Sequence, residues 1–244
     1  MIRFLLAVFF VISVLILSIP LLLLLWLFGL FAPHTRDLLA RHIVHFFFWG
    51  IIKISGLDIT YKGLDKIPKD CGVVYVSNHR SAFDIIAAYN KFPGITGYLA
   101  KIELARIPVF NLWMKFVHCI FVDRTNHKKA MLSLQLGAQE IKEGISCYIF
   151  PEGTRNKGNA EELLPFKGGA FKIAEEAECP IVPIAITGTR EVFEAHFPRI
   201  TPGKITVEFC DPIDTDNVKS VRIRDVSKTC SSVIAEAVKR NIQE

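Results

Sequence analysis

The 244 residues suffice for one sizeable domain and leave little room for two. The chain is 51% hydrophobic with a formal net charge of +5, a balance that suits an anionic membrane surface or a phosphorylated lipid. No run of Lys/Arg interleaves with aromatic residues, so the footprint of a nucleic-acid binder is missing. The six cysteines (Cys71, Cys119, Cys147, Cys179, Cys210 and Cys230) are scattered, with no Cys-x-x-Cys pair. That argues against a disulfide framework and for plain buried thiols in a reduced compartment.

The apolar excess is concentrated in the first 55 residues. Residues 4–33 carry no charge, with Arg3 before them and Arg36 after. The stretch is about twice a signal-peptide core, and no small-residue cleavage site closes it. It exceeds the roughly 20 residues of one span, and Pro20 lies near its middle. Two readings follow: a long Pro-kinked spanning helix, or a helix pair that dips into the bilayer and returns. Basic residues at both ends (Arg3, Arg36, Arg41 and Lys53) favour the re-entrant, monotopic form. Residues 41–53, aromatic-rich with basic ends, fit an interfacial helix or a core helix of the following domain equally well. The organisation expected is a membrane-embedded helical segment, residues 1–55, before a catalytic domain, residues 56–244.

From there strand-like and helix-like stretches alternate. Strands are expected at 58–62, 72–77, 97–100, 119–122, 145–150, 180–187 and 204–209. Helices are expected at 81–92, 103–117 (with Pro108 inside), 126–143 (with Asn126 as cap), 168–178 and 218–243. Pro183 within its strand suggests an edge or a bulge. The pattern predicts a single α/β domain, a mostly parallel central sheet flanked by helices. Ligand sites of such sheets lie just past the carboxyl ends of the strands.

The residues that carry chemistry fall there. The strand ending at Ser77 runs into Asn78-His79-Arg80-Ser81-Ala82-Phe83-Asp84. Five residues within a helix are about 140° off a common face, so His79 and Asp84 meet only if His79 lies outside the helix and folds back over its start. Asp84 then orients one imidazole nitrogen, and the other is left as a base for a hydroxyl. A second block, Phe150-Pro151-Glu152-Gly153-Thr154-Arg155, follows another buried strand and sets Arg155, a bidentate phosphate ligand by type, at the sheet's end. Lys101 and Arg124 end two further strands, and Leu164-Pro165-Phe166-Lys167-Gly168-Gly169 opens a helix whose N-terminus suits an anion. No Gly-x-Ser-x-Gly elbow and no His-Glu-x-x-His is present, which disfavours a lipid hydrolase or a metal-dependent esterase. What remains is one base, one orienting acid and several cations: direct attack by a substrate hydroxyl on an acyl donor, with phosphate as the acceptor's handle.

In these blocks, their order and their spacing the chain resembles the 1-acylglycerol-3-phosphate acyltransferase family, of bacterial type, over nearly its whole length. The resemblance implies transfer from acyl-CoA or acyl-carrier protein to the sn-2 hydroxyl of lysophosphatidic acid, giving phosphatidic acid, at the cytoplasmic face of the inner membrane. It implies no cofactor and no metal. His79 matches the family's base and Asp84 its partner. Glu152, Gly153, Thr154 and Arg155 match the acceptor-binding block, and Lys101 and Arg124 match basic positions near the acceptor phosphate. Ala100 stands where the family has Gly before the lysine. Another lyso-lipid acceptor, such as a lyso-aminolipid or lysocardiolipin, fits the same motifs. An inactive membrane adaptor fits poorly, because base, acid and cations are all present.

Overall fold

The structure, a computed structural model, describes residues 1–214 and 222–244. Helix α1 (Ile2–Leu17) and helix α2 (Ile19–Gly29) meet at Ser18 with a bend of 46°. Two sequence features cause it. Pro20 lacks an amide hydrogen and sits in the first turn of α2, and the Ser18 hydroxyl donates back to Leu15 O at 3.0 Å. Helix α3 (Pro33–Ser55) then returns along both: Gly29 lies beside the Arg36 side chain, Gly50 beside the Phe10 ring and Gly56 beside Arg3. Arg3 and the end of α3 therefore share one end of an antiparallel hairpin. Residues 41–53 belong to this longer helix and satisfy both of their readings: Ala40 and Val44 are buried, while Phe46 and Trp49 are exposed. Helix α3, by itself, and the bent pair together have the length and composition to cross a membrane.

Among the described residues seven strands form one sheet: β1 (Leu57–Lys62), β2 (Val74–Ser77), β3 (Thr96–Lys101), β4 (Ile120–Val122), β5 (Ser146–Ile149), β6 (Ile181–Thr187) and β7 (Gly203–Phe209). Their order is β1-β7-β6-β2-β5-β3-β4, and among these neighbours only β6 and β7 run antiparallel. The central strands read as near-continuous apolar runs because both faces are covered. On one face Tyr75, Tyr148 and Ile184 pack against α1–α3, α4 (Phe83–Tyr89) and α5 (Phe110–Phe116). On the other, Val74, Val76 and Ile149 pack against α6 (His127–Lys142), α7 (Lys172–Ala177) and α9 (Ile223–Gln243). The short helix α8 (Thr189–Val192) follows β6. Ala7, Leu22 and Leu25 of the hairpin join the same buried cluster as the strands, so the core runs across the expected boundary at residue 55.

Several expectations change in detail. Pro183 is not at an edge, since β6 has partners on both sides. The ladder to β7 does bulge there: Ile184 pairs with Phe209 and Ile181 with Ile213, three residues against four. Pro108 splits the helix expected over 103–117 into a 3-10 turn, Ile102–Arg106, and α5. Asn126 caps α6 as expected, its Oδ1 accepting from Lys129 N at 3.1 Å. The final helix was expected from Val218; residues 218–221 lie outside the described residues. All six cysteines are unpaired, but Cys71 is exposed rather than buried.

One charged cluster joins the hairpin to the domain. Arg36 pairs with the buried Asp37, whose Oδ2 lies 3.1 Å from His118 Nε2, and His118 Nδ1 lies 3.3 Å from Glu140 Oε1 of α6. Nε2 is buried and its approach to Asp37 is off-line for a hydrogen bond, so that contact is Coulombic. Burial would lower the His118 pKa, but the two carboxylates together outweigh it and raise it above its ordinary 6.5.

Candidate active site

The turn after β2 is built to hold one imidazole. Ser77 ends the strand, and the Asn78 side chain then extends the ladder: its Nδ2 donates to Ile186 O at 2.8 Å and its Oδ1 accepts from Ile186 N at 2.9 Å. That clamps the turn to β6 and leaves His79 outside α4. His79 folds back over the helix start, with Nδ1 2.9 Å from Asp84 Oδ2. The same oxygen accepts from the amides of Arg80 and Ser81 at 2.7 and 2.8 Å, and Asp84 Oδ1 accepts from Thr189 Oγ1 at 2.5 Å. Four donors on a fully buried carboxylate fix its orientation. With Asp84 Oδ2 accepting, Nδ1 is the ring nitrogen that donates, and the Nε2 lone pair is left free. Among the described residues no hydrogen bond reaches Nε2. Phe150 stacks on the imidazole, centroids 4.0 Å apart, and covers one face of the ring.

The second block interlocks with the first. Glu152 is 3% exposed; its Oε1 accepts from His79 N at 2.8 Å and its Oε2 from Leu164 N at 3.2 Å. Asn156 N donates to His79 O at 2.7 Å, and Arg80 donates to Gly158 O and Asn159 O. Glu152, expected at the acceptor, is thus turned inward: to meet a ligand it would have to release two backbone amides. Burial raises its pKa, against the opposing pull of those amides.

Gly153 has φ 72°, and a Cβ there would lie 2.8 Å from Lys167 Nζ and 3.2 Å from Arg124 Nη1. Only glycine fits this conformation beside two cations. Arg124 Nη1 donates to Gly153 O at 2.5 Å. Lys167 is held by its own amide, which donates to Pro151 O at 3.0 Å. Thr154 is exposed on the rim. The cations expected on one anion divide into two groups. Lys101 and Arg124 line one cavity at the ends of β3 and β4. Arg155 is absent from that lining, half exposed, with Nη1 3.5 Å from Glu194 Oε1, itself bonded to Ala82 N.

Sequence reasoning left Asn78, Thr189 and Glu194 without a role, and gave Lys167 only a place in a helix-opening loop. Asn78 and Lys167 stood inside recognised blocks and could have been read. Thr189 lies 105 residues from Asp84 and gave no local signal.

A model of the Acyltransferase family matches residues 58–187. The 1-acyl-sn-glycerol-3-phosphate acyltransferase of Haemophilus influenzae is 30% identical across 84% of this chain and 82% of its own length. That of Limnanthes douglasii is 32% identical across 82% and 70%. The chain belongs to the 1-acyl-sn-glycerol-3-phosphate acyltransferase family. Its fold is also that of a solved structure, the 1-acyl-sn-glycerophosphate acyltransferase PlsC of Thermotoga maritima. The TM-score is 0.84 at 23% identity, covering 100% of this chain and 96% of that one. The matched residues 58–187 include the His79–Asp84 pair and the Gly153 turn with its flanking cations.

Proposed function

We propose that the protein transfers an acyl group from a thioester donor, acyl-CoA or acyl-carrier protein, to the sn-2 hydroxyl of 1-acylglycerol-3-phosphate, giving phosphatidate. The observation that carries the reading is the 2.9 Å His79 Nδ1–Asp84 Oδ2 contact, with Nε2 left without a hydrogen bond among the described residues. His79 Nε2 takes the proton of the acceptor hydroxyl as its oxygen attacks the thioester carbonyl. The C–S bond breaks, the imidazolium returns its proton to the departing sulfur, and Asp84 stabilises the imidazolium between the two steps. Arg155 holds the acceptor phosphate on one side of the Gly153 turn and Arg124, which reaches Gly153 O, on the other, with Lys101 lining the cavity behind Arg124. Gly153 keeps the backbone clear of it, and Thr154 borders it. Glu152 positions the His79 backbone.

The reading extends to location. The large apolar side chains exposed on the hairpin, among them Leu5, Phe9, Leu24, Trp26, Phe31, Phe46 and Trp49, form a surface far too apolar for water. A bilayer covers it, with the catalytic domain at the cytoplasmic face of the membrane, where the acceptor lipid lies. A purified-enzyme assay with both donors and a panel of lyso-lipids tests the function. Lysophosphatidate should be the preferred acceptor, and preference for a lyso-aminolipid or lysocardiolipin would refute the assignment.

A further inference from the structure

A cavity of about 460 Å³ opens at the carboxyl ends of β3 and β4. Lys101, Arg106, Arg124 and Lys129 line it together with the carboxylates of Glu103 and Asp123. Four cations thus face two acids, and Asp123 is already engaged by Thr125 through its amide at 3.0 Å and its hydroxyl at 2.6 Å. The cavity suits an anion, yet its cations differ in what they touch. Arg124 reaches back to Gly153 O. Arg106 ends the 3-10 turn after β3, and Lys129 stands in the first turn of α6, where it acts on Asp123 through space without a hydrogen bond to it. The positive end of α6 adds to the local field.

Strand order gives the scale. β4 lies three strand spacings from β2, so roughly 14 Å separates its end from the His79 turn. An acceptor whose hydroxyl meets His79 carries its phosphate only a few bonds away, at the Gly153–Arg155 turn. Of the lining cations Arg124 is bonded to that turn, at Gly153 O, and among the described residues Arg106 and Lys129 make no hydrogen bond to it. A thioester at His79, by contrast, has its nearest phosphate at the far end of a long pantetheine arm. We propose that Arg106 and Lys129 bind the phosphate that closes the phosphopantetheine arm of the acyl donor, a group that acyl-CoA and acyl-carrier protein share. The inference rests on the reading of the reaction as transfer from a thioester.

The test is initial-rate kinetics on the full-length enzyme with Arg106→Ala, Lys129→Ala and the double variant. Three donors carry the same acyl chain: acyl-CoA, acyl-carrier protein, and an acyl-N-acetylcysteamine thioester, which has no phosphate. The double variant should raise KM for both phosphate-bearing donors by about ten- to a hundredfold. It should leave the KM of lysophosphatidate and the rate with the cysteamine thioester unchanged. Free 4′-phosphopantetheine should compete with the donor in the wild type and lose most of that effect in the double variant. Arg106→Lys, which keeps the charge but not the planar fork, should recover part of the loss and guards against a folding defect. A rise in the acceptor's KM with the donors unaffected would overturn the proposal and give the cavity to the acceptor phosphate. So would a penalty confined to acyl-CoA, which points to its adenosine phosphates, or one confined to acyl-carrier protein, which points to that protein's surface. A wild type that accepts none of the three donors would remove the reading of the reaction itself, and the proposal with it.

Discussion

His79 acts as a base only if its ring is held in one tautomer and one pose, and contacts from three segments do this. Asp84 takes Nδ1, Glu152 and Asn156 pin the backbone on either side, and Phe150 covers the ring. Thr189 then holds the remaining oxygen of Asp84. Thr189→Val leaves that buried oxygen short of a donor, an imbalance of about 1–3 kcal/mol. It should lower kcat roughly tenfold or more with little change in either KM, and Thr189→Ser should restore most of it; equal damage from both would mean that the methyl group, not the hydroxyl, matters. Arg155→Ala should raise the acceptor's KM by about ten- to a hundredfold, and Arg155→Lys should recover only part, lacking the planar fork. An unchanged preference for lysophosphatidate over monoacylglycerol in Arg155→Ala would show that the side chain only holds the turn. The His79–Asp84 pair was legible because both members lie in one short block whose turn geometry is forced. The inward turn of Glu152 was not legible, because residue type does not reveal whether a carboxylate faces solvent or a backbone amide.

At the scale of elements, the strands that build the site were read well because both-face burial writes an apolar run into each. The hairpin was read as two alternatives because its bend depends on Ser18 bonding back to Leu15 and meeting Trp113 Nε1 at 2.8 Å, and the second of these is a tertiary contact. Nothing in the sequence announced the Asp37–His118–Glu140 junction between α3 and α6, whose members are far apart in the chain. Its pH dependence has a definite sign. The folded pKa of His118 is raised above 6.5, so its contribution to stability is complete below about pH 6.5 and is lost as pH rises through the raised value. Thermal unfolding followed from pH 6 to 9 should show the wild type losing stability across that window, and His118→Asn should flatten the dependence. Parallel slopes for the two proteins would show that the junction does not titrate.

For the molecule as a whole, the arrangement joins the exposed apolar face of the hairpin to the sheet edge that carries His79 through one continuous core. Arg3 lies at Gly56, so the start of the chain and the entry to β1 should sit on the same side of the bilayer. Single reporter cysteines at positions 2 and 57, in a background with Cys71 replaced, should both react with a membrane-impermeant maleimide added from the cytoplasmic side. Labelling of position 2 from the opposite side only would establish a full span. Strand alternation made the α/β architecture legible, whereas the lie of the hairpin across one sheet face was not, because it is set by which apolar side chains the sheet itself leaves uncovered. The central claim is that this molecule moves an acyl group by general-base catalysis at His79. The most direct measurement is turnover of lysophosphatidate by purified wild type and His79→Ala in identical vesicles. A loss of about 10²–10⁴ in kcat, with melting temperature and vesicle binding unchanged and a nearly equal loss in Asp84→Asn, is the result expected. Near-wild-type turnover by folded, vesicle-bound His79→Ala would contradict it.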